Sequence, residues 1–193
     1  MTQYGFYFDS TRCTGCRTCE MACKDYKDLP TSYAFRRVFD YEGGSWTDNG
    51  DGTYAPDSFA YHVSMSCNHC ANPACVANCP QAALSKDPDT GLVLRDEELC
   101  SGCGMCALSC PYEVPVVDTD IMKSMKCDGC ASRVAEGKNP ICVEACPLRA
   151  LEFGDIDALR SAHDGTGAGI APMAAPDMTG PSIAILPCPD LPL

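Results

Sequence analysis

Sixteen of the seventeen cysteines in this 193-residue chain fall into four quartets, and nothing else in the sequence limits the fold so tightly. The quartets are Cys13, Cys16, Cys19 and Cys23; Cys67, Cys70, Cys75 and Cys79; Cys100, Cys103, Cys106 and Cys110; and Cys127, Cys130, Cys142 and Cys146. The first and third have the spacing C-x2-C-x2-C-x3-C; the second reads C-x2-C-x4-C-x3-C and the fourth C-x2-C-x11-C-x3-C. A proline follows the last cysteine of three of them (Pro80, Pro111, Pro147). Three thiolates at this spacing in a tight loop converge on three corners of one [4Fe–4S] cubane. The fourth opens a short helix pointing away, so in two-cluster ferredoxins it serves the other cluster. The small residues Thr14-Gly15, Ser101-Gly102 and Asp128-Gly129 suit such loops. Glycine permits positive φ and lets backbone N–H groups approach the sulfurs of an anionic cluster. A structural zinc site closes at four ligands supplied as separated pairs, which suits a run of three cysteines poorly. A disulfide framework is disfavoured by paired x2 spacings repeated four times. The spacing predicts four [4Fe–4S] clusters held by all sixteen thiols, and with them electron transfer.

The net charge is −12, and cluster-bound thiolates add to it. Neutralising nucleic-acid phosphates needs an excess of lysine and arginine, so no nucleic-acid partner is expected. No apolar stretch approaches the roughly 20 residues that span a bilayer. The opening MTQYGFYFD has neither a basic n-region nor an apolar h-region, which reads as a chain with no export signal of its own. There is no nucleophile–base pair and no phosphate loop. The clusters are expected to act as the cores of small lobes, leaving the apo chain largely unfolded.

Alternation of Tyr4, Phe6 and Phe8 predicts a strand over 4–9, then the first cysteine loop and a short helix over 20–26. Residues 31–61 carry no ligands and many aromatics. Two strand-like runs flank Asp48-Asn49-Gly50-Asp51-Gly52, giving a β-hairpin insertion, since a calcium loop would need a distal Glu that is missing. Residues 62–118 hold quartets two and three and form an inner ferredoxin-like lobe, with a turn at Asp87–Gly91 and a strand over 92–94. Residues 1–30 and 119–160 hold quartets one and four and form an outer lobe. A small helix is expected over 155–163. From residue 161 the Gly, Ala and Pro content predicts an extended tail, its apolar run 183–186 docking on a partner or on the chain's own surface. The fold class is α+β: two ferredoxin-like 2[4Fe–4S] lobes, a hairpin insertion and an extended C-terminal arm.

The stretches YGFYFDSTRCTGCRTCEMACKDYKDL, FRRVFDYEGGSW, SCNHCANPAC, MKCDGCASRVAEGKNPICVEACPLRALEFG and PSIAI closely resemble the iron–sulfur (B) subunits of anaerobic dimethyl sulfoxide reductases, from Tyr4 to about residue 186. The resemblance implies exchanged last ligands. One cluster would use Cys13, Cys16, Cys19 and Cys146; another Cys127, Cys130, Cys142 and Cys23; a third Cys67, Cys70, Cys75 and Cys110; a fourth Cys100, Cys103, Cys106 and Cys79. Nitrate reductase relatives carry Trp in place of Cys103 and one [3Fe–4S] cluster, so cysteine here implies four [4Fe–4S] centres. The resemblance also implies a line of clusters from a quinol-oxidising membrane subunit, nearest the Cys100 cluster, to a molybdopterin catalytic subunit, nearest the Cys13 cluster. The chain would then be a peripheral, non-catalytic subunit in anaerobic respiration, on the extracytoplasmic face by co-export with the catalytic subunit. The alternatives are a stand-alone polyferredoxin carrier, or the same role in another molybdenum reductase.

A few residues stand outside this scheme. A Rieske centre needs two histidine ligands, and the chain has only His62, His69 and His163 beside four complete quartets. His69 is therefore expected to pack beside a cluster. Cys188 reads as a free thiol. Arg12 and Lys126 precede cluster loops and either tune a potential or lie solvated on the surface. Arg36 and Arg37 should face opposite ways, one of them toward a partner.

Overall fold

The computed structural model describes residues 2–188. Strand β1 (Tyr4–Asp9) leads through the first cysteine loop into α1 (Thr18–Tyr26). A ribbon follows: β2 (Arg37–Gly43), β3 (Trp46–Asp48), β4 (Tyr54–Pro56) and β5 (Phe59–Met65). Then come α2 (Ala74–Ala77), β6 (Leu84–Lys86), β7 (Val93–Arg95), α3 (Met105–Ser109), β8 (Val116–Asp118) and β9 (Lys123–Met125). The chain ends with α4 (Ala131–Ala135), α5 (Ile141–Glu144), β10 (Leu151–Asp155), α6 (Ile156–Ala162) and β11 (Ile183–Leu186). The class is α+β.

The main sheet has the order β10-β1-β11, with β10 antiparallel and β11 parallel to β1. The predicted alternation in β1 is present but both faces are covered. Phe6 and Phe8 join the core around the cysteine loops, while Tyr7 packs with Ile156 and Ala184 and stacks on His163 at 3.7 Å. Gly5 is needed where the chain passes Ser182, because a Cβ there would collide with the Ser182 carbonyl oxygen. Helix α6 starts where the Asp155 carboxylate accepts from the N–H groups of Asp157 and Ala158.

The insertion is a longer ribbon than the expected hairpin. Strands β2 and β5 pair from Arg37↔Met65 to Gly43↔Phe59, and β3–β4 carry the ribbon on to the acidic turn. There Asp48 and Asp51 accept from the N–H groups of Gly50 and Thr53, so these carboxylates serve their own turn. The inner half packs through Val38, Tyr61 and Val63; at the outer half Trp46 and Tyr54 are exposed. Strand β5 runs across the 61/62 boundary drawn from the quartets, and the unforeseen hairpin β8–β9 straddles the one at 118/119. The strand expected over 92–94 lies one residue later, at Val93–Arg95.

Of the two dockings expected for the apolar run 183–186, the structure shows the one on the chain's own surface: Ile183, Ala184 and Ile185 are buried in β11, filling the open edge of β1. Upstream, Tyr61 donates to the Ala171 carbonyl at 2.8 Å, and the Ala71 and Asn72 amides donate to Gly180 and Thr179. The physical reason is hydrogen-bond satisfaction: the edge of β1 needs partners, and an Ile-Ala-Ile run supplies them while burying apolar surface. Residues 189–193 of the predicted tail lie outside the described residues.

Candidate iron–sulfur sites

Each C-x3-C pair lies at or beside a short helix, and that decides where its thiols go. One helical turn rises about 5.4 Å, so residues i and i+4 share a face but sit one step apart along it. On α1 the near thiol, Cys19, lines a cavity of about 330 Å³ with Cys13, Cys16 and Cys146. The far thiol, Cys23, stands instead beside Cys127, Cys142 and Cys130. The same division recurs elsewhere. Cys67, Cys70, Cys75 and Cys110 line one cavity of about 310 Å³. Cys79, Cys100, Cys103 and Cys106 line another of about 330 Å³. These four groupings have the same membership as the sets implied by the resemblance.

Donors surround the sulfurs. The N–H groups of Gly129, Ser124 and Ala150 point at Cys127 (3.4 Å), Cys100 (3.4 Å) and Cys146 (3.3 Å). The hydroxyl of Thr179 donates to Cys70 at 3.2 Å, and Ser64 and Ser124 lie 3.4 and 3.0 Å from Cys19 and Cys106. Glycine is required at Gly102, which has φ +71° and passes against the Met122 carbonyl.

The donor set fits a cubane rather than one ion. All seventeen cysteines are free, and among the described residues no three Cys, His, Asp or Glu side chains close on a point that could hold a metal ion. The thiols ring a space instead. Four buried side-chain nitrogens have no partner among the described residues: Arg36 Nε, Asn68 Nδ2, His69 Nε2 and Arg95 Nη1. All belong to residues beside the thiol sets. Asn68 and Arg95 line two of the cavities, Arg36 touches Cys142, and His69 faces the Gly129 loop. Orphaned donors converging on sulfur-lined space suit an anionic group rich in acceptor sulfides. Burial pushes the thiols of Cys23 and Cys75 up to about 12 and that of Cys130 up to about 11, each also repelled by neighbouring cysteines. Four thiolates together in such a place need compensating positive charge, which cluster iron supplies when bound.

His69 is fully buried, and its Nδ1 accepts from the Val93 N–H at 2.9 Å, so it packs beside a thiol set. Burial first, then the charges of Lys126 and Lys86, pushes its pKa well below the usual histidine value, and the ring is neutral. Lys126 is not solvated: it is 6% exposed, and its Nζ donates to the carbonyls of Val93 and Cys127 and lies 4.0 Å from Cys67 Sγ. Arg12 is the opposite case, a surface side chain paired with Asp9 at 3.2 Å. Arg36 is 2% exposed over the Phe6 ring, while Arg37 lies over Phe39 and donates to the Glu113 carbonyl. The two side chains differ as expected, Arg36 buried and Arg37 toward the surface, although Arg36 precedes the first paired residue of β2 and alternation could not say which would be which. Cys188 is half-buried and free.

Residues 58–156 match the model of the 4Fe–4S dicluster domain family. The chain is 54% identical to the B subunit of the anaerobic dimethyl sulfoxide reductase of Haemophilus influenzae, over 97% of this chain and 90% of the relative. It is 53% identical to the subunit of the same name in Escherichia coli K12, over 96% and 89%. The chain belongs to the family of anaerobic dimethyl sulfoxide reductase B subunits. A more distant member of the wider group, the thiosulfate reductase electron transfer subunit of Salmonella typhi, is 36% identical over 80% of this chain and 77% of the relative. Membership makes [4Fe–4S] clusters the cofactors of this chain.

Proposed function

We propose that this chain relays electrons, through four [4Fe–4S] clusters, from a quinol-oxidising membrane subunit to a molybdopterin catalytic subunit of a dimethyl sulfoxide reductase. The proposed ligand sets are Cys13, Cys16, Cys19, Cys146; Cys127, Cys130, Cys142, Cys23; Cys67, Cys70, Cys75, Cys110; and Cys100, Cys103, Cys106, Cys79. Held by these thiolates, [4Fe–4S] clusters would supply one-electron chemistry without a proton. The protein holds the thiolates, surrounds them with fixed N–H and O–H donors and keeps water from the inner sets.

One observation carries the relay reading: only Cys16 and Cys103 are exposed, and they belong to different sets. The two cavities they border share no lining residue. The set around Cys127 is buried throughout. A path with two surface ends and a covered interior serves two partners. Around the Cys103 loop Leu99, Met105, Leu108 and Met122 are exposed, an apolar patch of the kind that seats another protein. We assign it to the membrane subunit. Near Cys16, Leu148 and Met21 are exposed, and this end is assigned to the catalytic subunit. Among the described residues no helix is long and apolar enough to cross a membrane, which suits a peripheral subunit, and the extracytoplasmic face is the side proposed. The two lobes are read as the pairs of sets around quartets one with four and two with three.

An anaerobic affinity pull-down from the native host tests this. The eluate is assayed for molybdenum and for sulfoxide-dependent oxidation of reduced viologen. Both together support the reading. Molybdenum without that activity keeps the relay but changes the enzyme, and a lone iron–sulfur protein points to a free carrier.

A further inference from the structure

Two buried cations lie between thiol sets, and neither has a carboxylate partner among the described residues. That is unusual, because a buried charge without a counter-charge is strongly disfavoured. The guanidinium of Arg36 donates to the Ser64 carbonyl (3.2 Å), Ser64 Oγ (3.1 Å) and Ser66 Oγ (2.9 Å), all neutral acceptors. Its Nε has no partner. It lies against Cys142 on one side and, through Ser64, reaches Cys19 on the other. Lys126 repeats the pattern one junction along: the oxygens its Nζ donates to are both backbone carbonyls, and it lies 4.0 Å from Cys67, while its own chain continues into Cys127.

We propose that Arg36 and Lys126 are fixed counter-charges at two successive junctions of the relay, each shared by the thiol sets it separates, and that each raises the midpoint potentials of both its neighbours. The inference rests on the ligand sets proposed above. A cluster gains one unit of negative charge on reduction, so a cation held beside it in a poorly solvated interior favours the reduced form. Placed between two clusters, the cation favours the electron on either side, and the hop between them leaves its surroundings nearly unchanged. In each hop one cluster is oxidised by one electron as its neighbour is reduced by one.

The pattern of effects is specific. The Cys127 set borders both cations; the Cys13 set borders Arg36 alone, the Cys67 set Lys126 alone, and the Cys100 set neither. The test is an EPR-monitored redox titration of the intact complex, with iron content measured alongside. Arg36→Met should lower two of four midpoints and Lys126→Met should lower two, with one midpoint common to both pairs. Arg36→Lys and Lys126→Arg should leave all four near the parent values. Four retained clusters with unmoved midpoints, or a uniform shift of all four, would overturn the proposal. If a methionine variant loses iron, the charge-keeping variant decides: retained clusters at parent potentials support the proposal, and equal loss assigns the residue to shape alone and overturns it. Fewer than four clusters in the parent complex would instead sink the ligand sets, so the two failures are distinct.

Discussion

Cys103 is the most exposed thiol of its proposed set, and the one whose replacement disturbs packing least. A serine oxygen is a harder and weaker ligand for cluster iron than a thiolate. Cys103→Ser is expected to convert that one cluster to [3Fe–4S] or to empty it, leaving three others. Low-temperature EPR with an iron count checks this; four-cluster iron and no new [3Fe–4S] signal would remove Cys103 from the ligand set. Lys86 works through the backbone instead. Its Nζ donates to the carbonyls of His69, Cys70 and Gly91 and to Gln3 Oε1, pinning the Cys67–Cys70 loop against the turn before β7. Lys86→Met leaves these acceptors without their donor, a loss on the order of 2 kcal/mol after water has replaced part of it. A lower melting temperature of the cluster-loaded protein, with faster iron loss on warming, is the expected result. An unchanged melting temperature would show that the loop holds without it.

At the scale of elements, the splitting of each C-x3-C pair was legible in the spacing, whereas the exchanged sets came only from the family resemblance. The C-x3-C spacing puts paired thiols one helical turn apart, and local spacing survives folding. Hence Cys19 and Cys23 face neighbouring sets. Charged neighbours did not read out the same way. In sequence Lys126 stood open between tuning a potential and lying solvated, and alternation could not say which way Arg36 faces, because only the convergence of thiols from distant segments makes a site for a buried cation. The tail was only partly legible for a related reason: Gly, Ala and Pro content describes local stiffness and left docking on a partner or on the chain itself open, whereas β11 is fixed by the open edge of a strand some 177 residues earlier, as in Phe6↔Ile183. That pairing gives a prediction. Ile185 is 1% exposed, and Ile185→Ala should cost about 2–5 kcal/mol through lost burial and the cavity left behind. A shift in the denaturant midpoint of the cluster-loaded protein measures it, and a loss below about 0.5 kcal/mol would mean that β11 is not part of the folded core.

At the scale of the whole molecule, a relay needs its two ends to differ, because each partner must find only one of them. The charge balance of −12 opposes self-association and does not distinguish the ends. The apolar side chains around Cys103 do, above all Leu108, which is 83% exposed on α3. Leu108→Asp together with Met122→Asp removes two apolar contacts from the patch and asks two carboxylates to give up water on docking. Each apolar side chain is worth roughly 1.5–3 kcal/mol when buried. The pair should therefore weaken docking by at least about 3 kcal/mol, more than about 100-fold in affinity. The expected outcome is a split between two assays on the same membranes. Quinol-dependent sulfoxide reduction should fall with the loss of membrane-bound complex. Viologen-dependent reduction, iron content and the four cluster signals should stay at parent levels, because electrons from viologen need no membrane subunit. If both activities fell together with iron retained, the patch would face the catalytic subunit instead. If neither fell, the Cys103 end would not be a docking face, and the direction assigned to the relay would fail with it.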